Sequence, residues 1–197
     1  MIVGVDLDGV GYRFDDALRL WAHMTYDIPL ASMGEPEVWD YPVHQYGWTQ
    51  QEFYDRFNEA IEAGFMFSYG TPYDGFVEGL HALRDAGHFV HIVTARGHAG
   101  PPGMVVALTA QWLAEWGAPY DAITFCKDKT AVRTDYFIED KAETFHALRA
   151  AGVQCFLQDR RYNRNVGAWQ DPTLDAYRVF CFTQFVETIL NSKEIAL

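Results

Sequence analysis

The sequence predicts an α/β protein: a three-layer sandwich with a central parallel five-stranded sheet and a small helical cap inserted after the first strand. Three observations predict it. Short apolar runs alternate with amphipathic helical segments, the pattern of a parallel sheet covered on both faces. The 197 residues suffice for one sizeable core carrying a modest insertion. Residues 14 to 72 break the alternation: they read as helical, hold no clear strand and lie between the first two strands.

The elements follow in order. Ile2-Val3-Gly4-Val5 is a short apolar run ending in Asp6 and reads as a buried strand. Over 14 to 28, Phe14, Leu18, Trp21 and Met24 fall at helical spacing. Residues 29 to 49 hold three prolines and two glycines and read as irregular structure. A second helix over 50 to 63 carries Phe53, Phe57 and Ile61, and a Gly/Pro/Tyr-rich return covers 64 to 75. The alternation then begins. A helix over 73 to 86 stops at Gly87, and strand two follows over 89 to 93. A helix over 103 to 116 stops at Gly117, and strands follow over 122 to 126 and 136 to 139. A helix over 141 to 151 stops at Gly152, and the fifth strand covers 153 to 157. The last helix, over 182 to 191, lines Phe182, Phe185, Val186 and Ile189 along one face, which can pack on the sheet or in a homodimer interface.

Composition narrows the function. A formal charge of -12 repels a phosphate backbone at long range, so no long nucleic acid is expected as partner. A small phosphorylated metabolite stays compatible, because a bound cation and a few basic side chains reverse the local potential. The three cysteines, Cys126, Cys155 and Cys181, are widely spaced and form no Cys-x-x-Cys pair. Free thiols and a reducing, cytoplasmic compartment are expected. A strand starting at residue 2 leaves no stretch before it for a signal peptide, and no apolar run approaches a membrane span. No histidine pair has the spacing of zinc ligands.

In parallel sheets, ligands sit beyond the carboxyl ends of the strands. Asp6 and Asp8 follow strand one, Thr94 strand two, Lys127 and Lys129 strand three, and Glu139 and Asp140 close strand four. Asp6, Asp8 and Asp140 together offer an oxygen site suited to Mg²⁺. A carboxylate facing a metal-bound phosphate can act as nucleophile. Lys129 would offset charge on the phosphoryl group, and Thr94 would donate to a phosphate oxygen. Each residue alone is ordinary: an Asp-x-Asp-Gly turn, a strand-end hydroxyl, a surface lysine, an acidic helix start. It is their joint placement at successive strand ends that predicts a phosphatase.

The same residues carry a family resemblance. Asp6-Leu7-Asp8-Gly9-Val10 resembles the first motif of the haloacid dehalogenase superfamily of phosphatases. Ile92-Val93-Thr94-Ala95-Arg96, Lys129 in Lys127-Asp128-Lys129-Thr130, and Phe137-Ile138-Glu139-Asp140 resemble the second, third and fourth. The resemblance implies a Rossmann-like core domain over 1–13 and 73–197, with 14–72 as the cap. It implies Asp6 as the nucleophile that forms an aspartyl-phosphate, and Asp8 as the acid and then the base. It implies Mg²⁺ on Asp6, Asp140 and the Leu7 backbone carbonyl, with Glu139 acting through water. Thr94, Ala95, Arg96 and Lys129 would bind the phosphate. The run from Lys129-Thr130-Ala131-Val132 to Asp140 resembles the 5'(3')-deoxyribonucleotidase branch, which implies a nucleoside monophosphate as substrate. A sugar phosphate, or a non-enzymatic binding role, are the alternatives.

The cap segment is rich in rings. Phe53, Phe57 and Trp21 sit on helical apolar faces and are expected in the core. Trp39, Tyr41, Tyr46 and Trp48 lie in the irregular stretch and are expected to be freer to meet a nucleobase. Between 15 and 70 there are ten acidic residues against only Arg19 and Arg56, which again disfavours long nucleic acid. Arg160, Arg161 and Arg164 form a basic cluster after strand five whose role the sequence leaves open.

Overall fold

The computed structural model of the chain describes residues 1–98, 100–164 and 176–192. A parallel sheet is built from β1 (Ile2–Val5), β2 (Phe89–Thr94), β3 (Ala122–Phe125), β4 (Tyr136–Glu139), β5 (Gln154–Gln158) and β6 (Arg178–Val179). The order is β3-β2-β1-β4-β5-β6, and every neighbouring pair is parallel. The sheet therefore has six strands where the sequence predicted five. The sixth pairs Leu157 with Arg178 and Gln158 with Val179. A two-residue strand is too short to carry any periodicity, and it exists only because β5 offers it an edge.

The α-helices among the described residues are α1 (Phe14–Tyr26), α2 (Tyr41–His44), α3 (Gln50–Glu62), α4 (Phe76–Asp85), α5 (Met104–Glu115), α6 (Ala142–Ala150), α7 (Arg161–Arg164) and α8 (Phe182–Ser192). The first helix ends two residues earlier than its apolar spacing suggested, because Asp27 takes the left-handed conformation at φ 54° and stops it. Thr49 and Glu52 form a capping box at the start of α3, each side chain accepting from the other's backbone N–H. The apolar face of α8 lies on this chain's own sheet and on α4. Phe182 meets Phe76 at 5.0 Å between ring centroids, and Phe185 meets Phe156 at 5.5 Å.

Val3 and Val5 of the central strand are fully buried, and one continuous apolar core runs from them to Leu18, Ala22, Ala60 and Ile61 of α1 and α3. Residues 14–72 thus share the core of the sheet instead of building their own. Tyr12, just before this segment, meets Phe67 at 6.2 Å between ring centroids, and Phe67 meets Phe57 at 5.8 Å. No helix among the described residues is long and apolar enough to cross a membrane. Cys126, Cys155 and Cys181 are free thiols, the last of them exposed.

The order reverses at β1. Its links run to β2 on one side, and β4 lies on the other, so a crevice opens where the connections diverge. Asp6 is the first residue past β1 at that point.

Candidate active site

Just past β1 the chain folds on itself. The Leu7 carbonyl accepts from the amides of Val10, Gly11 and Tyr12 at 3.1, 2.8 and 2.7 Å. Gly9 makes this possible at φ 76°, and a Cβ there would lie 2.0 Å from Asp140 Oδ2. Both the backbone conformation and the space demand glycine. The turn also corrects one expectation. Three amides already occupy the lone pairs of the Leu7 carbonyl, so it is not the backbone oxygen open to a cation. The next carbonyl, that of Asp8, accepts no hydrogen bond among the described residues.

Asp6, Lys129, Glu139 and Asp140 meet beneath this turn, and all four are buried. Lys129 Nζ lies 2.7 Å from Asp6 Oδ1 and 2.6 Å from Glu139 Oε2. Lys129 opens a single 3₁₀ turn whose cap is Asp128, which accepts from the Thr130 amide at 3.0 Å and so fixes where the lysine departs. Glu139 also accepts from the Lys141 amide through Oε1 at 3.1 Å. One carboxylate oxygen from each of Asp6, Glu139 and Asp140 lies within 4.8 Å of the others.

One ammonium does not neutralise three buried carboxylates. Burial pushes the Asp6 carboxyl up to about 7, against the lowering pull of Lys129 and with the added repulsion of Glu139 and Asp8. Burial, then Glu139 and Asp6, raise Asp140 well above the usual carboxylate range. Burial alone would lower the Lys129 ammonium, but Asp6 and Glu139 outweigh it and the net shift is upward. Such a cluster is short of positive charge, and a hard divalent cation with oxygen ligands fits it. Thr94, at the end of β2, carries a buried hydroxyl with no hydrogen-bond partner among the described residues. An unpaired buried hydroxyl beside an anion site is suited to a phosphate oxygen.

Arg96 was expected at the phosphate. Its side chain is instead fully buried and forked onto Asp8, with Nη2 at 2.7 Å from Oδ1 and Nε at 3.0 Å from Oδ2. The guanidinium packs against the rings of both Tyr12 and Phe67, 4.5 and 4.4 Å from their centroids. Ala95, the residue before it, is exposed.

A cavity of about 240 Å³ borders the cluster at Asp140. Asp8, Gly9, Asp140 and Tyr162 form its floor, and Phe14, Asp15, Trp39, Tyr41, Gln50 and Phe53 form its wall. The four candidate rings therefore divide. Trp39 and Tyr41 line the cavity. Tyr46 and Trp48 do not: the Tyr46 hydroxyl donates to the Gly34 carbonyl at 2.9 Å, and Trp48 is buried with Arg56 stacked 4.4 Å from its ring. Packing within the 29–49 stretch turns these two inward. Phe53, expected in the core from its helical spacing, packs against the core and also stands in the cavity wall beside Phe14, since a helix at a cavity edge shows part of its apolar face to the opening.

Tyr162 and Asn163 were not anticipated. The Tyr162 hydroxyl donates to Asp140 Oδ2, and Asn163 Nδ2 donates to the Asp140 carbonyl at 2.8 Å. The only sequence signal was their place just beyond a strand end, inside the arginine cluster.

Residues 1–191 match the family described as 5' nucleotidase, deoxy (pyrimidine), cytosolic type C protein. A Chlorobaculum tepidum protein named for 5'(3')-deoxyribonucleotidase activity is 30% identical over 182 residues, covering 87% of each chain. The fold is similar to that of solved D,D-heptose 1,7-bisphosphate phosphatases. The Burkholderia thailandensis structure gives a TM-score of 0.56 at 14% identity, over 96% of this chain and 97% of that one. The structure from B. bronchiseptica, complexed with magnesium and phosphate, gives 0.56 at 15%, over 97% and 98%. The chain belongs to the 5' nucleotidase, deoxy (pyrimidine), cytosolic type C family, and is a phosphatase of nucleotidase type with the haloacid dehalogenase-like fold.

Proposed function

We propose that the enzyme hydrolyses nucleoside monophosphates, 5'(3')-deoxyribonucleotides foremost, with Mg²⁺ and through an aspartyl-phosphate on Asp6. The observation that carries this reading is the setting of Asp6: a buried carboxylate at the divergence of the sheet, paired with Lys129 and within 4.8 Å of Asp140 and Glu139. The family and the Chlorobaculum relative support the nucleotide; the cavity rings support a base.

An Asp6 oxygen attacks phosphorus while the ester P–O bond breaks, and Asp8 delivers a proton to the departing oxygen. Asp8 then takes a proton from the water that attacks the same phosphorus. Inorganic phosphate leaves and the Asp6 carboxylate is restored. Thr94 and Lys129 hold the phosphate oxygens. Asp6 and Asp140 would hold Mg²⁺, with the Asp8 carbonyl as the free backbone oxygen and Glu139 behind Lys129. A cation held by these residues would supply positive charge to offset that of the transferring phosphoryl group.

Residues 14–72 act as the cap over a core of 1–13 and 73–197, and Trp39, Tyr41, Phe14 and Phe53 face the base. Three free cysteines, one of them exposed, suit a cytoplasmic enzyme. The test is phosphate release with and without Mg²⁺ across deoxyribonucleotides, ribonucleotides and sugar phosphates, with Asp6→Asn as control. Mg²⁺-dependent turnover of deoxyribonucleotides, abolished in Asp6→Asn, is the expected result. Turnover of sugar phosphates alone would overturn the substrate, and an active Asp6→Asn protein would overturn the mechanism.

A further inference from the structure

The arginine cluster after β5 looks in sequence like an anion site. The structure gives its side chains other work. Asp159 is buried and held by Arg164 at 2.5 Å and by Arg178 at 3.2 Å. Arg161 points outward to Glu35 and Glu37. The remaining polar groups of the segment turn inward onto the site. Arg160 Nε donates to the Gly9 carbonyl at 2.6 Å, and its guanidinium stacks 3.8 Å from the centre of the Tyr73 ring. Tyr162 donates to Asp140 Oδ2. Asn163 Nδ2 donates to the carbonyls of Asp140 and Gln158, both at 2.8 Å. Its Oδ1 accepts from the Arg160 amide at 3.2 Å and from Arg178 Nη1 at 2.7 Å.

We propose that residues 159–164 form a positioning clip for the cation site, in which Tyr162 aims the Asp140 carboxylate, Asn163 holds its main chain and Arg160 holds the Gly9 turn. The inference rests on the reading of Asp140 as a Mg²⁺ ligand. The geometry behind it is specific. Tyr162 engages one oxygen of Asp140, which fixes the rotation of the carboxylate and leaves the other oxygen for a cation. A carboxylate anchored in both side chain and main chain arrives at the ion already oriented. The space that brings these groups together is the one a side chain at position 9 would fill, since a Cβ there would lie 2.0 Å from Asp140 Oδ2 and 2.5 Å from the Tyr162 hydroxyl. Nucleophile turn, acidic strand end and clip therefore converge on one point.

The experiment is calorimetric titration of Mg²⁺ into the whole protein and its Tyr162→Phe and Asn163→Ser variants, with melting temperatures taken in EDTA. Tyr69→Phe, at an exposed ring, is the control. Tyr162→Phe is expected to weaken Mg²⁺ binding about 10- to 100-fold, the usual loss when a partner of a metal ligand is removed, and to melt like the unsubstituted protein in EDTA. Its kcat should recover as Mg²⁺ is raised, so that the defect lies in the concentration of Mg²⁺ required. Asn163→Ser is expected to weaken Mg²⁺ binding in the same direction. Equal Mg²⁺ affinity in Tyr162→Phe and the unsubstituted protein overturns the clip alone. So does a lowered EDTA melting temperature with unchanged affinity, because the hydroxyl would then serve stability only. Absence of Mg²⁺ binding by the unsubstituted protein overturns the underlying reading of the site, and the clip with it.

Discussion

Arg96 grips Asp8 with two guanidinium nitrogens, across 88 positions of sequence, while the rings of Tyr12 and Phe67 pack against it. The arginine side chain is fully buried and the aspartate side chain is 32% exposed, so the carboxylate is held from below and open to the cavity from above. A rigid fork of this kind selects one carboxylate orientation. Arg96→Lys keeps the charge and loses the fork. It is expected to lower kcat by about tenfold or more, within the range that general acid–base groups contribute. KM should change little, because Arg96 is expected to act through Asp8. Steady-state kinetics on a nucleotide with a poor alkoxide leaving group provide the check.

Lys129 separates Asp6 from Glu139, touching both within 2.7 Å. Lys129→Met removes the cation between two buried carboxylates. Breaking a buried pair in this way costs about 3–5 kcal/mol, and denaturant unfolding in EDTA should reveal a loss of that order. Added Mg²⁺ should restore part of it. Unchanged stability in EDTA would mean that the pair is far better solvated than its burial indicates.

Gly9→Ala meets two obstacles, a φ of 76° and a Cβ 2.0 Å from Asp140 Oδ2. Asp140 must then move away from the turn. The expected result is a folded protein, seen by circular dichroism, with turnover reduced at least 100-fold and weakened Mg²⁺ binding, as misplacement of about 1 Å can cost that much in rate.

The raised Asp6 carboxyl sets a pH dependence. Burial pushes it in the folded chain up to about 7, above the ordinary 3.8, so the metal-free folded state holds this proton more tightly than the unfolded chain. Stability of the metal-free protein should therefore fall as pH rises through that window, and the loss is complete above about 7. A cation needs the deprotonated carboxylate, so Mg²⁺ affinity should rise over the same range. The increase in melting temperature on adding Mg²⁺ should be larger at pH 8 than at pH 6. An equal increase at both would contradict the assignment of Asp6 as ligand.

Trp39 and Trp48 should separate binding from stability. Trp39 is 47% exposed at the cavity, and Trp48 is 7% exposed under Arg56. Trp39→Ala should raise KM for a nucleotide and leave the melting temperature near its original value. Trp48→Ala should cost about 3–5 kcal/mol of stability, as truncation of a buried aromatic does, and leave KM of the folded protein unchanged. Kinetics and thermal melts of the two proteins, run side by side, check both.

The sequence by itself determined the layers of the sheet and the succession of strands β1 to β5 along the chain, and it singled out Asp6, Asp8, Thr94, Lys129, Glu139 and Asp140 as residues at strand ends. Each of these residues ends or follows an apolar strand, and both strand and end are written locally in the alternation of apolar and polar residues. The tertiary structure alone decided which partners they meet. The β1–β4 register, Val5 beside Ile138, brings Asp6 to Asp140. The fold carries Arg96 to Asp8, 88 positions away in sequence. Packing turns Trp48 inward and leaves Trp39 at the cavity, although both came from the same irregular stretch. The free edge of β5 makes a strand of Arg178 and Val179, and the turn at Gly9 takes the Leu7 carbonyl and leaves that of Asp8. Periodicity reports which face of an element is buried. Hydrogen-bond partners depend on backbone registers and loop paths set by the whole core, and neither leaves a repeating mark in the chain.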